Sequence, residues 1–306
     1  MLIAAKKTEA GNTMETSIYK LGQVYIQIQK PTEMQTPDNM EKFRVEQVDE
    51  GCSIQIYYTL EYASDIISIE KVLLSQKIPG KEAYRDNLAV FQTTEGECRR
   101  INLKGEILPY ALTLTKGNAT CQVWVNDQYH DWTKLDTIFV SMLSLEKQMI
   151  DAGAMILHSA YMCYNDTAVL FSAPSETGKS TQAALWKKYR GTWTVNGDRS
   201  LLVREDDGWK AYGWPVCGSS EICHNKSFPI RAIVMLKQAK ENRAYPLKGL
   251  KAMREVMEQI TINMWDREFL TKVMDQLDKL LQEVPIYRME CDISEDAVRC
   301  LEEWIG

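Results

Sequence analysis

The chain has 306 residues, 45% hydrophobic and 25% charged, enough for one large or two ordinary domains around a well-buried core. Its 36 basic residues stand against 42 acidic ones, a formal net charge of −6, so it lacks the basic balance that phosphate-backbone binding needs and no nucleic acid partner is expected. The apolar start of MLIAAKKTEAGN meets lysines too early for a signal-peptide core, and the later run TIFVSMLSL (Thr137 to Leu145) is too short to span a bilayer, so a cytoplasmic location without a membrane partner is expected.

Residues 1–133 read as a β-rich domain whose role the sequence does not state. Leu21 to Ile28 and Cys52 to Leu60 alternate with period two, and polar turns such as Pro31–Asn39 and Thr93–Glu97 separate such runs. From Asp136 the period changes. Ile138, Met142, Leu145 and Met149 recur at helical spacing, with Asp136 as N-cap and Gly153 as stop, which predicts one core-packing helix at the start of a second domain, 134–306.

That second domain reads as strand, turn, strand, loop, helix, strand. Met155 to Cys163 is apolar, Tyr164–Asn165–Asp166 is turn chemistry, and TAVLFS (Thr167 to Ser172) is a buried strand. A helix is predicted from Lys179 to Tyr189 and strands over Thr192–Asn196, Ser200–Arg204 and Ile230–Leu236. Two helical stretches fill Leu250 to Glu283, and a strand near Ile286 leads to a last helix from Ser294. The fold class is α/β, α+β overall, with a mixed sheet in the C-terminal domain.

Between TAVLFS and its helix lies APSETGKST (Ala173 to Thr181). A phosphate loop works because successive backbone N–H groups wrap the anion at a helix N-terminus, glycine allows positive φ, lysine reaches the β- and γ-phosphates, and the next hydroxyl holds Mg²⁺. Ser175, Glu176, Thr177, Gly178, Lys179, Ser180 and Thr181 are therefore the candidate binding residues for ATP or another nucleoside triphosphate with Mg²⁺. Two positions depart from the pattern. Ala173 stands where the first glycine is usual. Glu176 places a carboxylate where phosphate arrives, and it repels that phosphate unless it points out of the cradle or onto a metal or substrate proton.

The eight cysteines contain no Cys-x-x-Cys pair. Cys217, Cys223 and His224 lack the second chelating pair that zinc wants, so buried thiols are expected. Gly213–Ser220 reads as a glycine-hinged loop able to cover a site or as a plain surface turn. Asn225, Lys226, Arg231 and Arg199 are further candidates for phosphate charge.

His158, a two-strand hairpin, the loop and then Val195–Asn196–Gly197–Asp198–Arg199 together resemble HPr kinase/phosphorylase and the wider phosphoenolpyruvate-carboxykinase-like nucleotide-binding fold. The likeness covers about residues 153–240 and is nearest to HPr-kinase-like proteins encoded beside peptide-natural-product genes, the SynChlorMet cassette kind included. The resemblance implies Lys179 as the phosphate lysine, Ser180 and Asp198 as metal ligands, and His158 as the active-site histidine. The family's first acid, its general base, falls on Gly197 here. That leaves Glu176, His158 and Asp198 as candidate bases beside Lys179. The expected activity is an ATP- and Mg²⁺-dependent kinase acting on a Ser or Thr hydroxyl of a peptide or small acceptor. A nucleotide-binding module without transfer, and more remotely a carboxykinase-like lyase, are the alternatives. The oligomeric state stays open, a homo-oligomer included.

Overall fold

The computed structural model describes residues 13–85, 87–117 and 119–306. The apolar start of the chain, weighed above as a targeting signal, lies outside the described residues. No helix among those described is long and apolar enough to cross a membrane.

The first half builds one sheet of nine strands: β1 Met14–Leu21, β2 Val24–Pro31, β3 Arg44–Val45, β4 Ile56–Ala63, β5 Lys77–Arg85, β6 Leu88–Thr93, β7 Glu97–Asn102, β8 Pro109–Lys116 and β9 Thr120–Asn126. Their order is β3-β1-β2-β4-β9-β8-β7-β6-β5. The pairs β2–β4 and β4–β9 are parallel and the others antiparallel. Helix α1 (Asp38–Glu41) interrupts the Pro31–Asn39 turn region, and α2 (Ile66–Ser75), capped by the Asp65 carboxylate, lies over the sheet on Leu112 and Leu114. The run Leu21–Ile28 is not one strand. Gly22, at φ 61°, turns the chain between β1 and β2, because a left-handed residue there lets the two strands pair directly. The run from Cys52 becomes a strand only at Ile56.

The predicted helix after Asp136 is two helices, α3 (Asp136–Leu143) and α4 (Leu145–Asp151), broken at Ser144 with φ 54°. Leu135, not Asp136, is the N-cap residue of α3, although the Asp136 carboxylate accepts from Thr137 N at 2.6 Å. Gly153, at φ 77°, turns the chain into the second sheet.

The second sheet contains β10 Ala154–Tyr164, β11 Thr167–Ser172, β12 Trp193–Asn196, β13 Arg199–Glu205, β14 Gly208–Tyr212, β15 Ser227–Gln238, β16 Arg243–Pro246 and β17 Ile286–Cys291. Strands β10 and β15 are long because each serves two sets of neighbours. The first half of β10 pairs with β13 through His158↔Arg199, and the second half pairs with β11 from Ser159↔Ser172 onward. Strand β15 lies antiparallel to β14 at Ser227–Pro229, then parallel to β11 and to β17. Strands β14 and β16 were not evident from the sequence. The first closes a tight hairpin on β13 over Asp206–Asp207, and the second is a short edge strand.

Four helices cover this sheet. Helix α5 (Lys179–Arg190) and α8 (Glu295–Ile305) pack on one face through Ala183, Trp186, Val298 and Leu301. Helices α6 (Gly249–Met257) and α7 (Arg267–Glu283) pack on the other through Val256, Val273 and Leu277. Trp186 is fully buried and meets Tyr164 edge-on at 5.1 Å, a contact worth on the order of 1 kcal/mol beyond its buried area. A further core joins the two sheets, since Leu21, Ile26, Leu143 and Met149 pack with Leu201, Val203, Trp214 and Val216.

Candidate functional site

Strands β11, β15 and β17 run parallel, and their carboxyl ends meet at Ser172, Met235–Gln238 and Cys291. Ligands of open α/β sheets bind at that edge. The loop Ala173–Gly178 leaves the sheet there and enters α5. It bends through two left-handed residues, Glu176 at φ 63° and Gly178 at φ 105°. Glycine reaches such angles without strain, whereas Glu176 holds one at a cost of about 1–2 kcal/mol. No side chain caps α5, so its first-turn N–H groups face the loop without an intrahelical acceptor.

Lys179 lies over this cradle. Its Nζ donates to the carbonyls of Ala173 (2.9 Å) and Pro174 (3.2 Å), and the residue is only 7% exposed. Burial lowers the pKa of the ammonium group; the nearby charge of Arg199 adds to the shift and Asp198 opposes it. Ser175, Glu176, Ser180 and Thr181 are exposed, and Thr177 and Gly178 are half-buried. The carbonyl of Glu176 accepts a 3.3 Å hydrogen bond from Gln238. Glu176 lines a cleft of about 520 Å³ with Thr177, Gln238, Arg254, Glu255 and Arg288. Arg288 forms an ion pair with Glu255 and donates to the carbonyls of Met235 and Leu236, so a held charged pair is part of the cleft lining.

His158 and Asp198 meet where β10 exchanges β13 for β11. His158 Nε2 lies 3.4 Å from Asp198 Oδ1, and Asp198 Oδ2 lies 3.2 Å from Arg199 Nε. Burial pushes the Asp198 carboxyl up, but the His158 contact and the charges of Arg199, His158 and Lys179 outweigh it and leave the pKa below the usual value. Asp198 is therefore an anion at neutral pH. Asn196, fully buried and overlooked in the sequence, holds this turn. Its Oδ1 accepts from the backbone N–H groups of Asp198 and Arg199, both at 2.9 Å, while its Nδ2 donates to the carbonyls of Trp214 (2.7 Å) and Val216 (3.1 Å). An Asn two residues before an Asp at a strand end is a recognisable Asx-turn signal.

The loop after β14 packs against Gly197 and Asp198. A methyl group added at Gly197 would overlap the Ser220 hydroxyl and approach the Cys217 carbonyl at 3.3 Å, and one added at Gly218 would sit 3.1 Å from the Asp198 carboxylate. The missing acid is thus closed off as well as absent. Gly197→Asp is expected to destabilise the chain by about 1–3 kcal/mol through overpacking. Adding Ser220→Gly should recover most of that loss in urea titrations. A single variant as stable as the wild type would show that the loop does not fill the space.

Three candidates lie elsewhere. Arg231 lies at the register shift in β15 beside the start of β11, between Ile230 and Ala232, and its guanidinium sits 5.9 Å from the Tyr164 ring centroid. Asn225 donates to the Lys42 carbonyl, and Lys226 accepts from Gly213 N through its own carbonyl, so these two positions fasten loops. Cys217 and Cys223 are buried thiols, and the His224 ring packs edge-on to Trp193. Among the described residues no group of three or more His, Cys, Asp or Glu side chains gathers to hold a metal.

A model of the family described as SynChlorMet cassette protein ScmC matches residues 121–303. No curated protein matches the chain. Among solved structures, the Hpr(Ser) kinase/phosphatase from Coxiella burnetii is similar over 49% of this chain and 91% of its own, at 12% identity and a TM-score of 0.28, too loose a likeness to transfer any property. The family match spans more than half of the 306 residues and includes the loop, His158 and Asp198. The chain belongs to the family of SynChlorMet cassette protein ScmC.

Proposed function

We propose that the chain binds ATP with Mg²⁺ and transfers the γ-phosphoryl group to a Ser or Thr hydroxyl of a peptide or small acceptor. The observation that carries this reading is the loop itself. Two left-handed residues open a backbone cradle at an uncapped helix N-terminus, with a buried lysine above it and the charge of Asp198 acting on that lysine. Phosphoryl transfer asks a protein mainly for positioning and charge neutralisation, which such a cradle supplies. Lys179 would move from the Ala173 and Pro174 carbonyls to the phosphates. Ser180 and Asp198 would hold Mg²⁺, which would supply charge neutralisation at the phosphates.

In the transfer the acceptor oxygen bonds to the γ-phosphorus as the bond to the ADP oxygen breaks, and the hydroxyl proton passes to a carboxylate. With Gly197 closed by Ser220, Glu176 is the free acid beside the loop, and among the described residues it makes no ion pair. His158 positions Asp198 through their contact, and Asp198 would be taken up as a ligand of Mg²⁺. The same closure at Gly197 favours a second reading, a nucleotide-binding module without transfer. Calorimetry with a slowly hydrolysed ATP analogue, followed by a radiolabel transfer assay on Ser-containing peptides, separates the two. Absence of nucleotide binding overturns both.

Asp198→Asn tests the metal assignment. It should leave metal-free nucleotide affinity within about twofold and remove most of the gain that Mg²⁺ brings, because the amide keeps the shape but loses the anion. A Mg²⁺ titration superimposing on that of the wild type would exclude Asp198 as the metal acid.

A further inference from the structure

A second cavity, of about 640 Å³, lies between the N-terminal sheet, the α3–α4 pair and residues 257–265. Its volume falls in the range of sites that take small ligands or side chains. Its walls include Val140, Ile156, Trp214, Val216 and Ile260. Two features tie it to the site already described. Arg199, next in the chain to Asp198, lines it and donates to Thr261 at 3.0 Å, and Glu258 borders both this cavity and the cleft beside the loop.

One feature indicates a ligand. At the rim, the Trp265 ring has Arg85 at 5.2 Å and Arg99 at 5.7 Å from its centroid. Arg99 is neutralised by Glu97 and Glu146. Arg85 is exposed and makes no ion pair among the described residues, which leaves one cation at the rim for an anion.

We propose that this cavity is the acceptor's specificity pocket: it takes an apolar side chain of a peptide, next to the Ser or Thr that receives phosphate, with a peptide carboxylate at Arg85. The substrate class is then an apolar–acidic peptide segment carrying the hydroxyl. This rests on the kinase reading only for the fate of the hydroxyl. The binding itself stands apart from it.

The test is calorimetry of the full chain with two synthetic peptides, acetyl-Ser-Phe-Glu-amide and acetyl-Ser-Gly-Glu-amide, without nucleotide. The phenylalanine peptide should bind at least tenfold more tightly. Val140→Phe, which fills the cavity from its wall, should erase that preference and leave affinity for the ATP analogue unchanged. If Val140→Phe fails to fold, Arg85→Glu at the exposed rim decides instead. It should weaken the Phe-Glu peptide at least fivefold and leave acetyl-Ser-Phe-Gln-amide within twofold. Equal affinity for the phenylalanine and glycine peptides overturns the proposal, as does indifference of the Phe-Glu peptide to Arg85→Glu. Apolar-selective binding without any transfer would sink the kinase reading and spare the pocket, whereas transfer without the apolar preference would do the reverse.

Discussion

Lys179→Ala is expected to weaken nucleotide binding by about 10- to 150-fold and to remove turnover, with the melting temperature little changed. The lysine amine is the buried cation of the cradle, held by the Ala173 and Pro174 carbonyls. Once phosphate is present, those weak acceptors are exchanged for a charge-assisted hydrogen bond, typically worth about 1.5–3 kcal/mol, which sets the fold-change. Truncation costs the fold little. Alanine is the best helix former at the first turn of α5, and the packing of that helix rests on Ala183 and Trp186 further along. Burial already holds the ammonium pKa below its usual value, so phosphate binding would pull it back up and strengthen the proton's hold. Affinity measured at rising alkaline pH should therefore fall in the wild type and stay flat in Lys179→Ala. Unchanged affinity in the variant would end the phosphate-loop assignment.

The parts of this site that were legible in the sequence are those built from neighbours in the chain. TAVLFS, the loop and its helix are contiguous, and the structure places β11 at Thr167–Ser172 and starts α5 at Lys179, as the apolar run and the GKST string indicate. Long-range packing was not legible. The helical period of Ile138, Met142, Leu145 and Met149 gives no sign of the break at Ser144, where the chain bends so that α3 covers the first sheet and α4 meets β10. The absence of an acid at Gly197 could be read directly. Its cause could not, because Ser220 returns to that point only after the β13–β14 hairpin. The second cavity was invisible for the same reason. Arg85, Val140 and Trp265 come from three distant parts of the chain and meet only in the folded molecule.

Glu176→Gly carries the other large effect. The residue occupies the left-handed region at φ 63°, where glycine costs nothing and glutamate costs about 1–2 kcal/mol. Glycine also enlarges the unfolded ensemble by roughly 0.4–1 kcal/mol, so the net change in stability should be a gain of about 1 kcal/mol or less. Nucleotide affinity should hold or rise, because a carboxylate beside polyphosphate is removed and the bend becomes easier to hold. Turnover should move the opposite way. Backbone strain clusters at functional sites, bound phosphate would add like-charge repulsion at the same position, and the acid that might have served at 197 is closed off by Ser220. Losing a general base typically costs on the order of 10²–10⁴ in rate. The variant should thus melt slightly higher, bind the ATP analogue at least as well, and transfer phosphate at least 100-fold more slowly. His158→Ala belongs beside it, since loss of the Asp198 contact should appear mainly in the Mg²⁺ dependence. Turnover of Glu176→Gly within about threefold of the wild type, far short of a lost general base, would make the glutamate a tolerated departure and return the choice of base to Asp198 or His158.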